Sequence, residues 1–67
     1  MMDNHLYNLT SQLLQEHKSL WRMKNKYKED SKACQACQEL WDSLIQEKEA
    51  NIEKLLKMVK GHMDALY

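Results

Sequence analysis

The sequence predicts an all-α protein folded as an antiparallel two-helix hairpin, and three observations carry that prediction. Apolar residues recur three, four and seven positions apart through two long segments, the period of a helix with one buried stripe. Leu, Glu, Lys, Gln and Met are plentiful, Pro is absent and Gly61 is the single glycine, so intrinsic preference favours helix almost everywhere. Basic residues crowd together midway and acidic ones follow at once, the charge order of one helix ending and another beginning. No β-hairpin signal is present.

The first helix is expected over residues 3–28. Asp3 is placed to cap it, because its carboxylate can accept from the free N–H groups of the first turn. Leu6, Leu13, Leu20 and Tyr27 then recur at sevens, with Tyr7, Leu14 and Trp21 beside them and Leu9 and Met23 on the other flank. That stripe is broader than a two-stranded seam and suits the core of a bundle. After Trp21 it thins into Arg22, Lys24, Lys26 and Lys28, followed by Glu29, Asp30 and Ser31. A turn is expected near 29–32, with Asp30 or Ser31 capping the second helix. The rival is one unbroken helix, since the sevens continue as Tyr27, Cys34, Trp41, Lys48 and Leu55. The charge order and the weak apolar content from Lys24 to Lys32 favour the hairpin.

The second helix is expected over residues 33–60. Cys34, Cys37, Trp41, Leu44, Ile45, Ile52, Leu55 and Val59 form its stripe, interrupted only by Lys48 and Asn51. Gly61 suits the position just past a helix end, with Lys57 and Lys60 in the last turn and a short tail beyond.

Sixty-seven residues make a single domain that buries only roughly 60% of its unfolded surface. Two cysteines allow one disulfide at most, so oligomerisation is the expected source of further core. Each hairpin would leave an apolar face, and pairing with a second copy into a four-helix bundle would hide both. Leu13, Leu20, Trp21, Trp41, Leu44, Ile52 and Leu55 are the residues expected at that homodimer interface. Ten basic and ten acidic residues cancel, which argues against a nucleic-acid or membrane-surface partner. The basic cluster around Trp21 and Tyr27 wraps the helix and reads as a solvated helix end. The longest apolar runs are two or three residues, so no signal peptide or membrane span is expected. Free cysteines without an export signal point to the cytoplasm.

The neighbours of His17 at three and four positions are Leu13, Leu14, Leu20 and Trp21, so His17 is expected to face the core. Glu16 borders the same stripe, and Lys48 is ringed by Leu44, Ile45, Asn51 and Ile52. Charges at such positions must be paired, or their pKa values shift.

The run LLQEHKSLWRMKNKY, followed by CQELWDSLIQEKEANIEKLLKMVKGH, resembles the first two helices of a rubrerythrin-type ferritin-like domain. In that family one helix supplies an inward Glu and the next a Glu-x-x-His pair, bridging two irons. The resemblance spans nearly the whole chain and sets Glu16 at the first-helix glutamate. It sets Lys48 and Asn51 where the Glu-x-x-His pair would stand. An ammonium cannot ligate a cation and an amide is a poor iron ligand, so the resemblance implies a bundle whose di-iron centre is lost. Lys48 would place its charge where the metal was, and Glu16, Lys48 and Asn51 would form a polar group in the core.

Cys34 and Cys37 make a lone C-x-x-C in the first turn of the second helix. The favoured reading is buried, inert cysteines continuing the stripe; the alternative is a redox pair with thiolates favoured by the helix dipole. Serine-nucleophile elbows and Gly-rich phosphate loops are absent, and no glycosidase-like carboxylate pair stands out, so an enzyme is not expected. The leading expectation is a small structural or protein-interaction module with no cofactor. The second is a metal-binding or redox protein, holding iron or zinc through Glu16, His17 and Glu49 across a dimer, or using Cys34 and Cys37. The third is a coiled-coil adaptor or regulator with another protein as partner.

Overall fold

The computed structural model describes the backbone over residues 4–66 and the side chains through Asp64. The protein is all-α, a helical hairpin whose two arms pack antiparallel. The first arm begins as α1 (Asn4–Arg22), widens into a π-helical turn over Met23–Tyr27 and closes as α2 (Lys28–Asp30). The second arm is one helix, α3 (Gln35–Leu66), of 32 residues. At about 1.5 Å per residue that helix alone accounts for the 50 Å long axis of a rod measuring 50 × 16 × 13 Å. The expected Asp3 cap lies outside the described residues.

Both helices run further than the charge order suggests. The first arm includes Glu29 and Asp30, and the reversal occupies residues 31–34. Glu29 is therefore an anion at a helix C-terminus, where the dipole disfavours it; Lys32 compensates from 3.1 Å away. Neither Asp30 nor Ser31 caps α3. The Ser31 hydroxyl turns back to donate to the Lys28 carbonyl at 2.9 Å, and Cys34 takes the capping position instead. The chain reverses without glycine because short turns suffice: Lys32 N–H donates to Glu29 O, Cys34 N–H to Ser31 O, and no described residue needs a positive φ.

The expected end near Gly61 is also corrected, since α3 continues through Gly61 to Leu66. Gly61 lacks the left-handed conformation of a helix terminator, and one glycine in a long helix costs only about 1 kcal/mol.

Three contacts between the arms set the antiparallel order. Tyr27 rests on Trp41 beside the turn, with ring centroids 5.1 Å apart. Glu16 meets Lys48 midway, and His5 meets His62 edge-on near the open end. Between them runs a two-stranded seam. Its buried members are Leu6 and Met23 on the first arm and Ile45, Ile52 and Val59 on α3. Leu9, Leu13 and Leu20, with Trp41, Leu44 and Leu55, are half-buried along its margins. In α3 the buried residues stand seven apart, as an apolar seam position requires.

The π turn alters the phase of the first arm. Lys28 N–H donates to Met23 O, five residues back, which inserts one residue into the helical ring. An uninterrupted helix would continue the seam from Met23 to Tyr27 and Asp30. Here Tyr27 and Asp30 are exposed, and Lys28 and Ser31 are the half-buried residues.

Candidate functional site

Two constellations stand out, one at the middle of the rod and one at its tip. In the middle, Glu16 stands seven residues from Leu9 and seven from Met23, which places it on the seam with them. On α3, Lys48 falls between Ile45 and Ile52 on the same line. Their side chains are 17% and 24% exposed, and Lys48 Nζ lies 2.6 Å from Glu16 Oε2. The approach is short but poorly aligned, so Oε2 is paired by charge and has no well-directed hydrogen bond. Gln12, one turn earlier on α1, donates from Nε2 to the other oxygen, Oε1, at 2.7 Å. The Lys48 ammonium, more than the burial that opposes it, holds the Glu16 carboxyl below its usual range; Gln12 adds to the effect.

Asn51 is exposed and stands outside this pair. His17 is exposed as well, which corrects its expected core position. Its neighbours explain why: Leu13 and Leu20 are half-buried, but Leu14 and Trp21 face outward. A two-stranded seam covers only a narrow stripe, and His17 belongs to the part left uncovered. Glu49 sits on the surface, 3.3 Å from Lys24 across the arms. Glu16, His17 and Glu49 are thus not assembled within one chain. Among the described residues no group of three or more His, Cys, Asp or Glu side chains is placed to hold a metal ion.

At the tip, Cys34 and Cys37 are both free and exposed, which corrects the expectation of buried cysteines. The reason is positional: they precede Gln38, the first half-buried residue of α3. Cys34 caps α3, and its Sγ accepts from the Cys37 N–H at 3.3 Å. The two sulfurs lie 2.8 Å apart. Hydrogen bonding from the Cys37 thiol first, then from the backbone N–H groups of Cys37 and Ala36, draws the Cys34 thiol below its ordinary pKa. The same contact, by engaging the Cys37 proton, pushes the Cys37 thiol up.

Three features lie outside the seven-residue pattern. Gln12 is legible as an i,i+4 partner of Glu16. Lys28 pairs with Asp42 across the arms, a pairing that depends on the π turn. The π turn itself has no recognisable sequence mark.

Along the outer side of α1, Tyr7, Leu14 and Trp21 recur at sevens and are each more than half exposed. On α3, Leu40, Leu56, Met58 and Met63 are exposed as well. No helix is long and apolar enough to cross a membrane among the described residues. No protein-family model, curated protein or solved structure matches this chain. The likeness to a rubrerythrin-type half-bundle therefore rests on the helical pattern and on Glu16.

Proposed function

We propose that this protein is a small interaction module whose hairpin pairs with a second copy of itself to form a four-helix bundle. The observation that carries this reading is the amount of surface the single chain leaves open. The chain exposes 5340 Å², whereas a compact monomer of 8.0 kDa would expose about 4450 Å². The excess, about 900 Å², is close to what one partner contributes to a standard protein interface. A radius of gyration of 15.2 Å, against about 11 Å for a compact chain of this length, agrees with a half-built core. The occupant is a second copy because the open stripe on α1 is apolar and seven-spaced, the pattern a helix of the same kind covers. Leu13 and Leu20 on α1 and Trp41, Leu44 and Leu55 on α3 stay half-exposed, whereas Ile52, 5% exposed, is spent inside the hairpin.

The reading includes no working di-iron centre. Any cation approaching Glu16 must displace an ammonium already 2.6 Å from its carboxylate, and Lys48 and Asn51 offer no carboxylate or imidazole in return. Free cysteines fit a reducing compartment such as the cytoplasm.

Sedimentation equilibrium tests the pairing. The wild type should behave as a particle of about 16 kDa, twice the chain mass. The Leu14→Ser/Trp21→Ser double variant should fall to the monomer mass with its helical dichroism retained. A wild type that sediments as a folded monomer at its highest soluble concentration overturns the reading.

A further inference from the structure

The tip of the rod carries chemistry that the bundle does not use. We propose that Cys34 and Cys37 form a thiol–disulfide exchange site, with Cys34 as the attacking sulfur, Cys37 as the resolving sulfur, and a disulfide-bearing thiol compound as substrate. The reading is independent of dimerisation, since neither cysteine belongs to the seam or to the outer stripe of α1.

Four observations converge on it. Both cysteines are exposed, so a substrate disulfide can approach them. They face each other at 2.8 Å, so closing to the ~2.05 Å of a bond asks for movement of under about 1 Å. Cys34 stands at the N-cap of a 32-residue helix, with the Cys37 N–H directed at its sulfur; that is where a negative sulfur is best stabilised. The two thiols also differ in the required sense, Cys34 drawn down and Cys37 pushed up. The lower one attacks and the higher one keeps its proton until needed.

The chemistry balances as follows. Cys34 thiolate attacks one sulfur of the substrate disulfide, forming a Cys34–substrate mixed disulfide and releasing one substrate thiolate, which takes up a proton. Cys37 then gives its proton to solvent and attacks the Cys34 sulfur. The mixed disulfide breaks, an intramolecular Cys34–Cys37 bond forms, and the second substrate thiolate leaves. Two electrons pass from the protein dithiol to the substrate, which departs as two thiols. Run backwards, the same steps oxidise a substrate dithiol.

The site is tested on the full chain by adding oxidised glutathione to the reduced protein and following mass and Trp41 fluorescence with time. Trp41 lies one turn beyond Cys37, so a disulfide at the tip should quench it. The wild type should lose two hydrogens, release two equivalents of glutathione and accumulate little adduct. Cys37→Ser should trap a single glutathione adduct. Cys34→Ser, in which the hydroxyl preserves the cap and helicity should be unchanged, should form its adduct about tenfold more slowly near neutral pH. Equal rates for the two single-cysteine variants overturn the assignment. So does a wild type that ends with glutathione on both sulfurs, or with disulfides linking separate chains.

Discussion

The inner seam and the outer stripe of α1 are written in the same residue types at the same spacing, yet they meet different fates. Leu6, Glu16 and Met23 turn toward α3 and are covered or paired; Tyr7, Leu14 and Trp21 turn away and stay open. What separates them is helix number. Two helices can cover only a strip about two residues wide on each other, so a wider apolar band is left half finished. The seam is where this chain's own stability resides, and the stripe is where the proposed second copy would add to it.

That contrast can be broken most severely at Ile52. Truncation in Ile52→Ala opens a gap in the seam and should cost about 2–5 kcal/mol, enough to abolish a cooperative urea transition in so small a domain. An outer-stripe variant, Leu14→Ser, should leave the unimolecular part of that transition within about 0.5 kcal/mol.

Lys48→Met probes the polar break in the seam. Removing one partner of a fully buried ion pair costs about 3–5 kcal/mol; with Glu16 17% exposed, water recovers part, leaving about 2 kcal/mol at neutral pH. The pH profile carries the sign. The folded Glu16 pKa lies below its unfolded value of about 4.3, so its contribution is complete above that value and drains away as pH falls through the folded pKa. Lys48→Met should lose this acid-side decline, because burial without the ammonium raises the carboxyl instead. Denaturation midpoints measured from neutral to acid pH, for both proteins, decide the matter.

The smallest effect runs the other way. Nothing lies within 4 Å of a methyl group added at Gly61, and Gly61 is helical with no need of a positive φ. Gly61→Ala should therefore stabilise the protein by about 0.5–1 kcal/mol through backbone entropy alone, raising its thermal midpoint. A neutral or harmful result would mean that this surface of α3 is already occupied.

Much of the fold was legible because it is periodic. The sevens through Ile45, Ile52 and Val59 name the buried face of α3, and a charge within such a line, as at Glu16 and Lys48, stands out as a residue that needs a partner. Periodicity gives the width of an apolar band but not how much of it a chain can cover by itself. That is why His17, judged by its apolar neighbours, is in fact exposed. Helix ends were less legible: Gly61 permits a stop without requiring one, and the dipole preference of Glu29 was offset locally by Lys32. The exposure of Cys34 and Cys37 depends on where the opposing arm ends, a fact of tertiary structure that their spacing does not contain.

The widened turn at Met23–Tyr27 has one more consequence. Each residue of an α-helix advances the chain by about 100° around its axis, so a single inserted residue re-aims the rest of its own arm. The last turn of the first arm, with Lys28 facing Asp42, is thereby indexed separately from the shaft, like a key whose bit is cut at an angle to its blade.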